Sequence, residues 1–179
     1  MNVVFGDRDT SVEDLGPVRR GRQVHGTTVL RDNATPEEPS DGQVVTDQQH
    51  GALVLTADCV PIALASPGAV AMLHGGWRGL KDGIVARGVA MLDGPVSAMI
   101  GPCARGCCYE VGEEVHQHFP GHRVGERNLA LEAVAAERLR EAGVVEIGDV
   151  GVCTICDERY FSYRREGDAA GRNASVVWR

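Results

Sequence analysis

Three short segments each place a metal-binding side chain beside a predicted strand end and a glycine or proline. They read Gln23-Val24-His25-Gly26, Thr56-Ala57-Asp58-Cys59-Val60-Pro61 and His74-Gly75-Gly76-Trp77-Arg78-Gly79. Singly, each is ordinary, because a lone His is more often structural and free Cys commonly packs as a small apolar side chain. Together, His25, Cys59 and His74 supply three nitrogen or sulfur donors, and three protein ligands with an open fourth position are typical of catalytic zinc. They lie too far apart in the chain for a zinc finger or ribbon, so the spacing alone leaves this site a hypothesis.

Neighbouring residues suggest how protons and phosphate would be handled at such a site. Asp58 is the best-placed acid by sequence for moving protons. Gly75 and Gly76 would let a ligand approach the backbone closely, and the N–H groups at the start of the following helix would suit a phosphate. Arg78 would add charge-assisted hydrogen bonds. The alternative is a tight strand-to-helix turn with a hydrogen-bonded His74 and a solvated Arg78.

Five other cysteines leave a second metal site open. They are Cys103, Cys107, Cys108, Cys153 and Cys156. The last two have the spacing of half a structural zinc site, and the first three could supply the remaining ligands. Against this, free buried cysteine is common. Three arginines, Arg164, Arg165 and Arg172, could likewise bind phosphate, although surface arginines are usually solvated or paired with carboxylates.

Composition narrows the class of protein and its partners. The 179 residues are 43% hydrophobic and 24% charged, which predicts one folded domain over residues 1–179. A formal net charge of -7 disfavours nucleic acid as a partner but does not prevent binding of a small anion. The absence of a long apolar window and of a signal-peptide pattern predicts a cytoplasmic protein with no membrane contact. In that compartment we expect reduced thiols or metal ligands rather than disulfides.

Alternating strand and helix patterns predict an α/β sandwich around a mixed β-sheet. The predicted strands are Val24–Leu30, Gln43–Thr46, Ala52–Thr56, Ala69–Leu73, Val96–Ile100, Val150–Cys153 and Ala174–Trp178. The predicted helices are a face from Leu80 to Leu92, a weaker segment Glu110–Phe119, and Leu129–Ala142 with Gly143 as its stop. Pro61 is expected to prevent a strand from continuing past Cys59. The polar, proline-rich segment from Ala34 to Gly42 is predicted to be a surface loop.

The three ligand segments resemble the hallmark motifs of the YfiH-like proteins, a family also labelled laccase-domain or multicopper polyphenol oxidase proteins. The resemblance covers nearly the whole chain from Gln23 onward. Further matching segments are Ile100-Gly101-Pro102, Cys108-Tyr109-Glu110-Val111-Gly112, Cys153-Thr154, Phe161-Ser162-Tyr163-Arg164-Arg165 and Gly171-Arg172. The resemblance implies that His25, Cys59 and His74 bind zinc, and that the single-domain fold is similar to that of a toxin deamidase. It implies no second metal site.

The resemblance also implies a reaction. Members of the family are regarded as zinc-dependent purine nucleoside phosphorylases that cleave adenosine, inosine and methylthioadenosine with phosphate and also deaminate adenosine. For deamination, zinc would lower the pKa of a water to roughly 7, and Asp58 would shuttle protons. For phosphorolysis, Gly75, Gly76 and Arg78 would hold the attacking phosphate. The family usually has a longer region before its first His, so we expect altered substrate contacts here, and the loop Cys103–Cys107 also departs from the family pattern.

Other classes of protein remain open from the sequence. Cys59 as nucleophile with His74 as base would make a thiol hydrolase or deamidase, which would still work after demetallation. The older copper oxidase label needs several coppers and many histidines, whereas the chain has six, three of them crowded between His116 and His122. A metal-binding or partner-binding module would turn over no nucleoside. The oligomeric state is not determined by the sequence.

Overall fold

Two β-sheets lie face to face in the computed structural model, which describes residues 1–179. Numbering strands along the chain, the four-stranded sheet has the order β1-β12-β5-β2 and consists of β1 (Asn2–Phe5), β2 (Val18–Arg19), β5 (Gly51–Thr56) and β12 (Asn173–Trp178). The six-stranded sheet has the order β11-β8-β6-β7-β4-β3 and consists of β3 (Val29–Arg31), β4 (Gly42–Val45), β6 (Val60–Ala65), β7 (Val70–Gly75), β8 (Ser97–Ile100) and β11 (Glu146–Asp149). A separate pair joins β9 (Arg123–Val124) to β10 (Asn128–Leu129).

The helices are short, and three of them pack on the six-stranded sheet. They are α1 (Trp77–Asp82), α2 (Ile84–Ala90), α3 (Glu113–His116), α4 (Leu131–Glu141) and α5 (Tyr163–Glu166). Single 3-10 turns occupy Val12–Leu15, Pro120–His122 and Gly167–Ala169. The three that pack on the six-stranded sheet are α1, α2 and α4, and α2 and α4 also pack on each other. None of the helices combines the length and apolar character that crossing a bilayer requires.

Buried side chains fill the two spaces between these three layers. Leu73, Ile84 and Val134 belong to the large cluster between the six-stranded sheet and the helices. Val54 and Met72 belong to the smaller cluster between the two sheets. In the six-stranded sheet β3 and β11 run parallel to their neighbours and the other pairs are antiparallel, so the predicted α/β sandwich with a mixed sheet is confirmed.

The predicted strands agree with the structure wherever the run is apolar on both faces. β5 and β7 are almost entirely buried, as the double-sided runs indicated. The prediction of a strand over Val24–Leu30 was wrong, because only Val29–Arg31 is extended and paired. The prediction over Val150–Cys153 was also wrong. The strand there is the preceding β11, and the chain turns away from the sheet at Gly151, whose φ is +73°.

Pro61 lies inside β6, contrary to the prediction that it would stop a strand. Its carbonyl accepts a hydrogen bond from the Gly101 N–H at 2.9 Å, so the proline nitrogen also faces the β8 side of β6. Pairing of β6 with β8 ends at Ile62 opposite Ile100, and no donor is therefore needed at position 61. Proline is tolerated at the first residues of a strand for this reason.

The helix predictions hold where a stop residue was recognised. α4 ends before Gly143, whose φ of +81° suits the left-handed conformation predicted for a stop. The apolar face from Leu80 to Leu92 is split into α1 and α2 by Gly83, whose φ is +95°. Between Glu110 and Phe119 only the single turn of α3 is helical.

Candidate functional site

The side chains of His25, Cys59 and His74 meet at one rim of the sandwich. Their donor atoms all lie within 4.8 Å of one another, and Nε2 of His25 lies 3.9 Å from Sγ of Cys59. The two imidazole rings stand nearly edge to face, with centroids 4.8 Å apart and an interplanar angle of 70°. Three residues that are distant in sequence therefore form one cluster of metal-binding atoms.

Each of these three candidate ligands comes from a different structural element. His74 is buried near the end of β7, opposite Pro61 of β6. Cys59 is half-buried in the bend that leads from β5 of the four-stranded sheet into β6 of the six-stranded sheet. His25 is exposed, lies in a bend rather than on the predicted strand, and has a φ of +59°. The crossing between the two sheets thus brings Cys59 beside a histidine that the central strand β7 holds in place.

Asp41 organises this cluster, a role that no sequence pattern predicted. It accepts hydrogen bonds from the consecutive backbone N–H groups of Val24, His25 and Gly26 at 2.7 to 3.2 Å. Oδ1 of Asp41 also lies 2.7 Å from Nδ1 of His74. The left-handed conformation of His25 is maintained by this ring of hydrogen bonds around one carboxylate.

The prediction of a surface loop from Ala34 to Gly42 is therefore wrong at the end of this segment. Residues 35–39 are exposed, but Ser40 and Asp41 are fully buried. Burial of an ionised carboxylate is tolerated because donors surround both of its oxygens. Burial raises the pKa of Asp41, but the hydrogen bonds from His74 and the backbone outweigh this, and the pKa is lowered from its ordinary value.

The same contacts shift the pKa values of Cys59 and His74. Burial raises the pKa of the Cys59 thiol, but the imidazoles of His25 and His74 outweigh it and lower the pKa to about 6. Burial lowers the pKa of His74, whereas Asp41 and the Cys59 sulfur raise it to about 9. Cys59 is therefore a thiolate at neutral pH, which is the form that binds metals.

These residues fit a metal ion in both donor chemistry and available space. Because Nδ1 of His74 faces Asp41, Nε2 is the nitrogen left for a metal, in the carboxylate–histidine arrangement common at metal centres. Gly76 leaves room at the cluster, since a Cβ there would lie 3.0 Å from Cδ2 of His25 and 3.5 Å from Sγ of Cys59. Two imidazoles and one thiolate are a donor set that suits zinc or copper.

A cavity of about 620 Å³ opens beside the cluster, and its charge is opposite to that of the whole chain. Its lining includes all three metal-binding side chains and three aromatic rings, those of Trp77, Tyr109 and Tyr163. Five arginines also line it: Arg20, Arg22, Arg78, Arg164 and Arg172. Asp58 is the one acidic residue in the lining, in a chain whose formal net charge is -7. Such a cavity can accept an anion together with a flat apolar group.

Asp58 is buried in the cavity wall and both of its oxygens are engaged. Oδ1 accepts from the Thr154 hydroxyl at 2.7 Å, and Oδ2 accepts from the Arg164 backbone N–H at 2.7 Å. Its φ of +90° is unusual for a residue other than glycine. The carboxylate thus fastens the loop after β11 and the start of α5 to the metal-binding bend.

The residues expected to bind phosphate are separated by the structure. Gly75 and Gly76 are buried and neither lines the cavity. Arg78 is exposed, stacks over the Trp77 ring with its guanidinium carbon 4.3 Å from the centroid, and lines the cavity. Arg164 and Arg172 also line it, whereas Arg165 donates to backbone carbonyls of Thr154 and Ile155. Of the other five cysteines, four form a second cluster and Cys103 is buried apart from them.

Comparisons with known proteins agree with this fold. The model of the family described as multi-copper polyphenol oxidoreductase laccase matches residues 8–179. A protein from Xylella fastidiosa named purine nucleoside phosphorylase is 38% identical over 183 residues, covering 88% of this chain and 70% of the relative. One from Aquifex aeolicus with the same name is 38% identical, covering 87% and 80%.

Solved structures show the same architecture. A Neisseria meningitidis protein of the DUF152 family superposes with a TM-score of 0.84 at 31% identity, covering 93% of this chain and 76% of that one. The YfiH protein of Bacillus licheniformis superposes with a TM-score of 0.82 at 24% identity, covering 93% and 77%, and shares the fold.

Proposed function

The chain belongs to the multi-copper polyphenol oxidoreductase laccase family, the YfiH-like proteins, and from that membership we propose that it is a zinc-dependent purine nucleoside phosphorylase. Its substrates would be adenosine, inosine or methylthioadenosine together with phosphate. Its products would be the free base and a ribose 1-phosphate type sugar. A second, hydrolytic activity would deaminate adenosine.

The observation that carries the proposal is the arginine-lined cavity next to the metal-binding cluster. An acidic chain that gathers five arginines and three aromatic rings around one cavity is suited to a substrate pair of phosphate and purine. A neutral polyphenol carries no negative charge for these arginines to balance. The names of the relatives from Xylella and Aquifex point the same way.

In phosphorolysis the chain's own residues would hold the two reactants in line. Arg78 and its neighbours around the cavity would bind the phosphate, whose oxygen attacks the anomeric carbon while the bond from that carbon to the purine nitrogen breaks. The purine would stack against Trp77 or the tyrosine rings and leave as the free base. Bringing the anion to the positively charged sugar would stabilise the transition state electrostatically.

The metal would be held by Nε2 of His74, Sγ of Cys59 and an imidazole nitrogen of His25. Zinc bound there would supply Lewis acidity and lower the pKa of a water for the hydrolytic reaction. Asp41 would keep His74 oriented. Asp58, which the sequence suggested as the proton carrier, is proposed instead to position the cavity wall, because both of its oxygens already accept hydrogen bonds.

One observation favours a second candidate, a thiol hydrolase with Cys59 as nucleophile. Despite burial, the neighbouring imidazoles lower the pKa of Cys59 to about 6, and Asp41 and the Cys59 sulfur raise the pKa of His74 to about 9. These values give the thiolate–imidazolium pair that such enzymes use. Demetallation separates the two candidates, since the hydrolase would retain its activity without metal and the zinc enzyme would lose it.

The test of the proposed function is product chromatography with adenosine as substrate. With phosphate, the protein should give adenine and ribose 1-phosphate, and some inosine. Without phosphate, adenine release should stop while inosine formation continues. Cys59→Ala is the control, and identical traces for the control and the wild type across adenosine, inosine and methylthioadenosine would refute the phosphorylase proposal.

A further inference from the structure

A second cluster of metal-binding atoms lies outside the cavity. The sulfur atoms of Cys107, Cys108, Cys153 and Cys156 all lie within 4.8 Å of one another. Sγ of Cys156 is 2.8 Å from Sγ of Cys108 and 3.8 Å from Sγ of Cys107. Two of the four side chains are exposed and the cluster is at the surface, where an ion can enter. The remaining nearby cysteine, Cys103, is buried and is not part of the group.

The fold builds this cluster from two neighbouring turns. β8 and β11 are parallel partners, so the chain leaves both strands at the same edge of the sheet. Beyond that edge, one parallel bridge pairs Cys103 with Cys153, and Thr154 donates its N–H to the Cys103 carbonyl at 3.0 Å. Each pair of ligands then lies in a tight turn, with Cys108 N–H bonded to the Arg105 carbonyl and Asp157 N–H to the Cys153 carbonyl.

The spacing of the sulfurs fits a single tetrahedral ion. With metal–sulfur distances of about 2.3 Å, the sulfurs around one tetrahedral zinc lie about 3.8 Å apart. The separation of 3.8 Å between the sulfurs of Cys107 and Cys156 equals that spacing, and the separation of 2.8 Å between those of Cys108 and Cys156 is shorter. All four sulfurs lie within 4.8 Å of one another, which is small for ligands that sit on separate irons of a cluster. From this geometry we propose that Cys107, Cys108, Cys153 and Cys156 bind a structural zinc ion, distinct from the ion at His25, Cys59 and His74.

The proposed site would be structural rather than catalytic, because protein ligands would fill all four coordination positions. Four thiols would each lose a proton to solvent as four sulfur–zinc bonds form, and no position would remain for a substrate. The exposed Cys107 and Cys156 gain most from such an ion, because free thiols at a surface are otherwise prone to oxidation.

The ion would fasten two segments that form the wall of the cavity. Tyr109, which lines the cavity, directly follows Cys108. Thr154, which donates to Asp58, lies between Cys153 and Cys156. Joining the turns through one ion would therefore fix the position of Tyr109 relative to Asp58. The ion would then stabilise the shape of the cavity as well as the fold.

The test is the zinc content of the purified, reduced protein and of matched variants. We expect about two zinc ions per chain in the wild type, about one in Cys156→Ser and about one in Cys59→Ser, because each change removes a ligand from a different site. Cys103→Ser, a change at a cysteine outside both groups, should keep two. A wild type with one zinc that is lost in Cys59→Ser and kept in Cys156→Ser would overturn the second site while leaving the proposed function untouched. The reverse pattern would support the second site and count against the catalytic one.

A cobalt measurement covers the case in which Cys156→Ser does not fold. Cobalt added to the metal-free Cys59→Ser protein should give a tetrahedral spectrum with thiolate charge-transfer bands, because four thiolates impose tetrahedral coordination. Absence of these bands would overturn the proposal. So would a wild-type mass lower by two hydrogens after purification under reducing conditions, because it would show a disulfide in place of a metal site.

Discussion

The Asp41 carboxylate lies 2.7 Å from Nδ1 of His74 and also accepts the backbone N–H of His25. One buried side chain therefore orients the imidazole of one proposed ligand and the backbone of another. It links β4, which begins at the next residue, to the central strand β7 and to the bend that carries His25. The geometry of the proposed metal centre therefore depends on this residue as directly as on the proposed ligands.

Replacing Asp41 by asparagine should weaken zinc binding roughly 10- to 100-fold, the usual cost of losing an outer hydrogen-bond partner of a metal ligand. The amide NH2 would face backbone N–H donors of residues 24–26 and could not accept from them. Competition with a chromogenic chelator measures the affinity. Asp47→Asn is the matched control, because Asp47 makes a similar contact to Nδ1 of His50 at 3.0 Å but is at the surface. Equal affinities in the two variants would exclude a positioning role for Asp41.

Gly76→Ala should lower zinc affinity and activity while leaving the melting temperature nearly unchanged. The backbone at Gly76 has φ -69° and ψ 157°, which alanine adopts freely. The new Cβ would press on His25 at 3.0 Å and lie 3.5 Å from the Cys59 sulfur, so the strain would be confined to the ligands. Gly68→Ala is the control, since nothing lies within 4 Å of a Cβ there. A large fall in melting temperature for Gly76→Ala would show that the glycine serves the fold instead.

Arg78→Ala should slow phosphorolysis more than deamination, because only phosphorolysis uses a second, anionic substrate. The loss of one charged hydrogen bond is worth roughly 1.5 to 3 kcal/mol in transition-state stabilisation. Measuring kcat/KM for both reactions gives the comparison. Arg87, an exposed arginine of α2 outside the cavity lining, provides the control variant Arg87→Ala. If Arg78→Ala slowed both reactions equally, its role would be the packing of its guanidinium on Trp77.

In the metal-free protein, the rate of Cys59 alkylation by iodoacetamide should rise with pH around a midpoint of about 6 and level off above it. The thiolate is the reactive form, and the imidazoles of His25 and His74 lower the pKa of this thiol to about 6 against the effect of burial. Peptide mass spectrometry follows the labelled residue, with Cys59→Ala as the blank. Zinc should protect Cys59 at every pH at which it binds. A midpoint near the ordinary thiol value of about 8.5 would contradict the predicted pairing.

The features of this protein that depend on local pattern were predictable from the sequence. The double-sided apolar runs of β5 and β7 could only be stable as buried strands, and Gly143 could only mark the end of α4. The candidate ligands His25, Cys59 and His74 were also identifiable from their residue types and from their resemblance to family motifs. Each of them stands beside a predicted strand end and a glycine or proline, and this local context is visible in the sequence alone.

Features that depend on partners remote in sequence became visible only in the three-dimensional arrangement. Pro61 continues a strand because β8 ends beside it, and Asp41 is buried because three backbone N–H groups and His74 surround it. Arginines from four separate segments gather around one cavity, and four cysteines from two turns meet because β8 and β11 are parallel neighbours. Periodicity and propensity describe a residue's neighbours along the chain, whereas hydrogen bonding and charge act through space between segments that the sheet topology brings together.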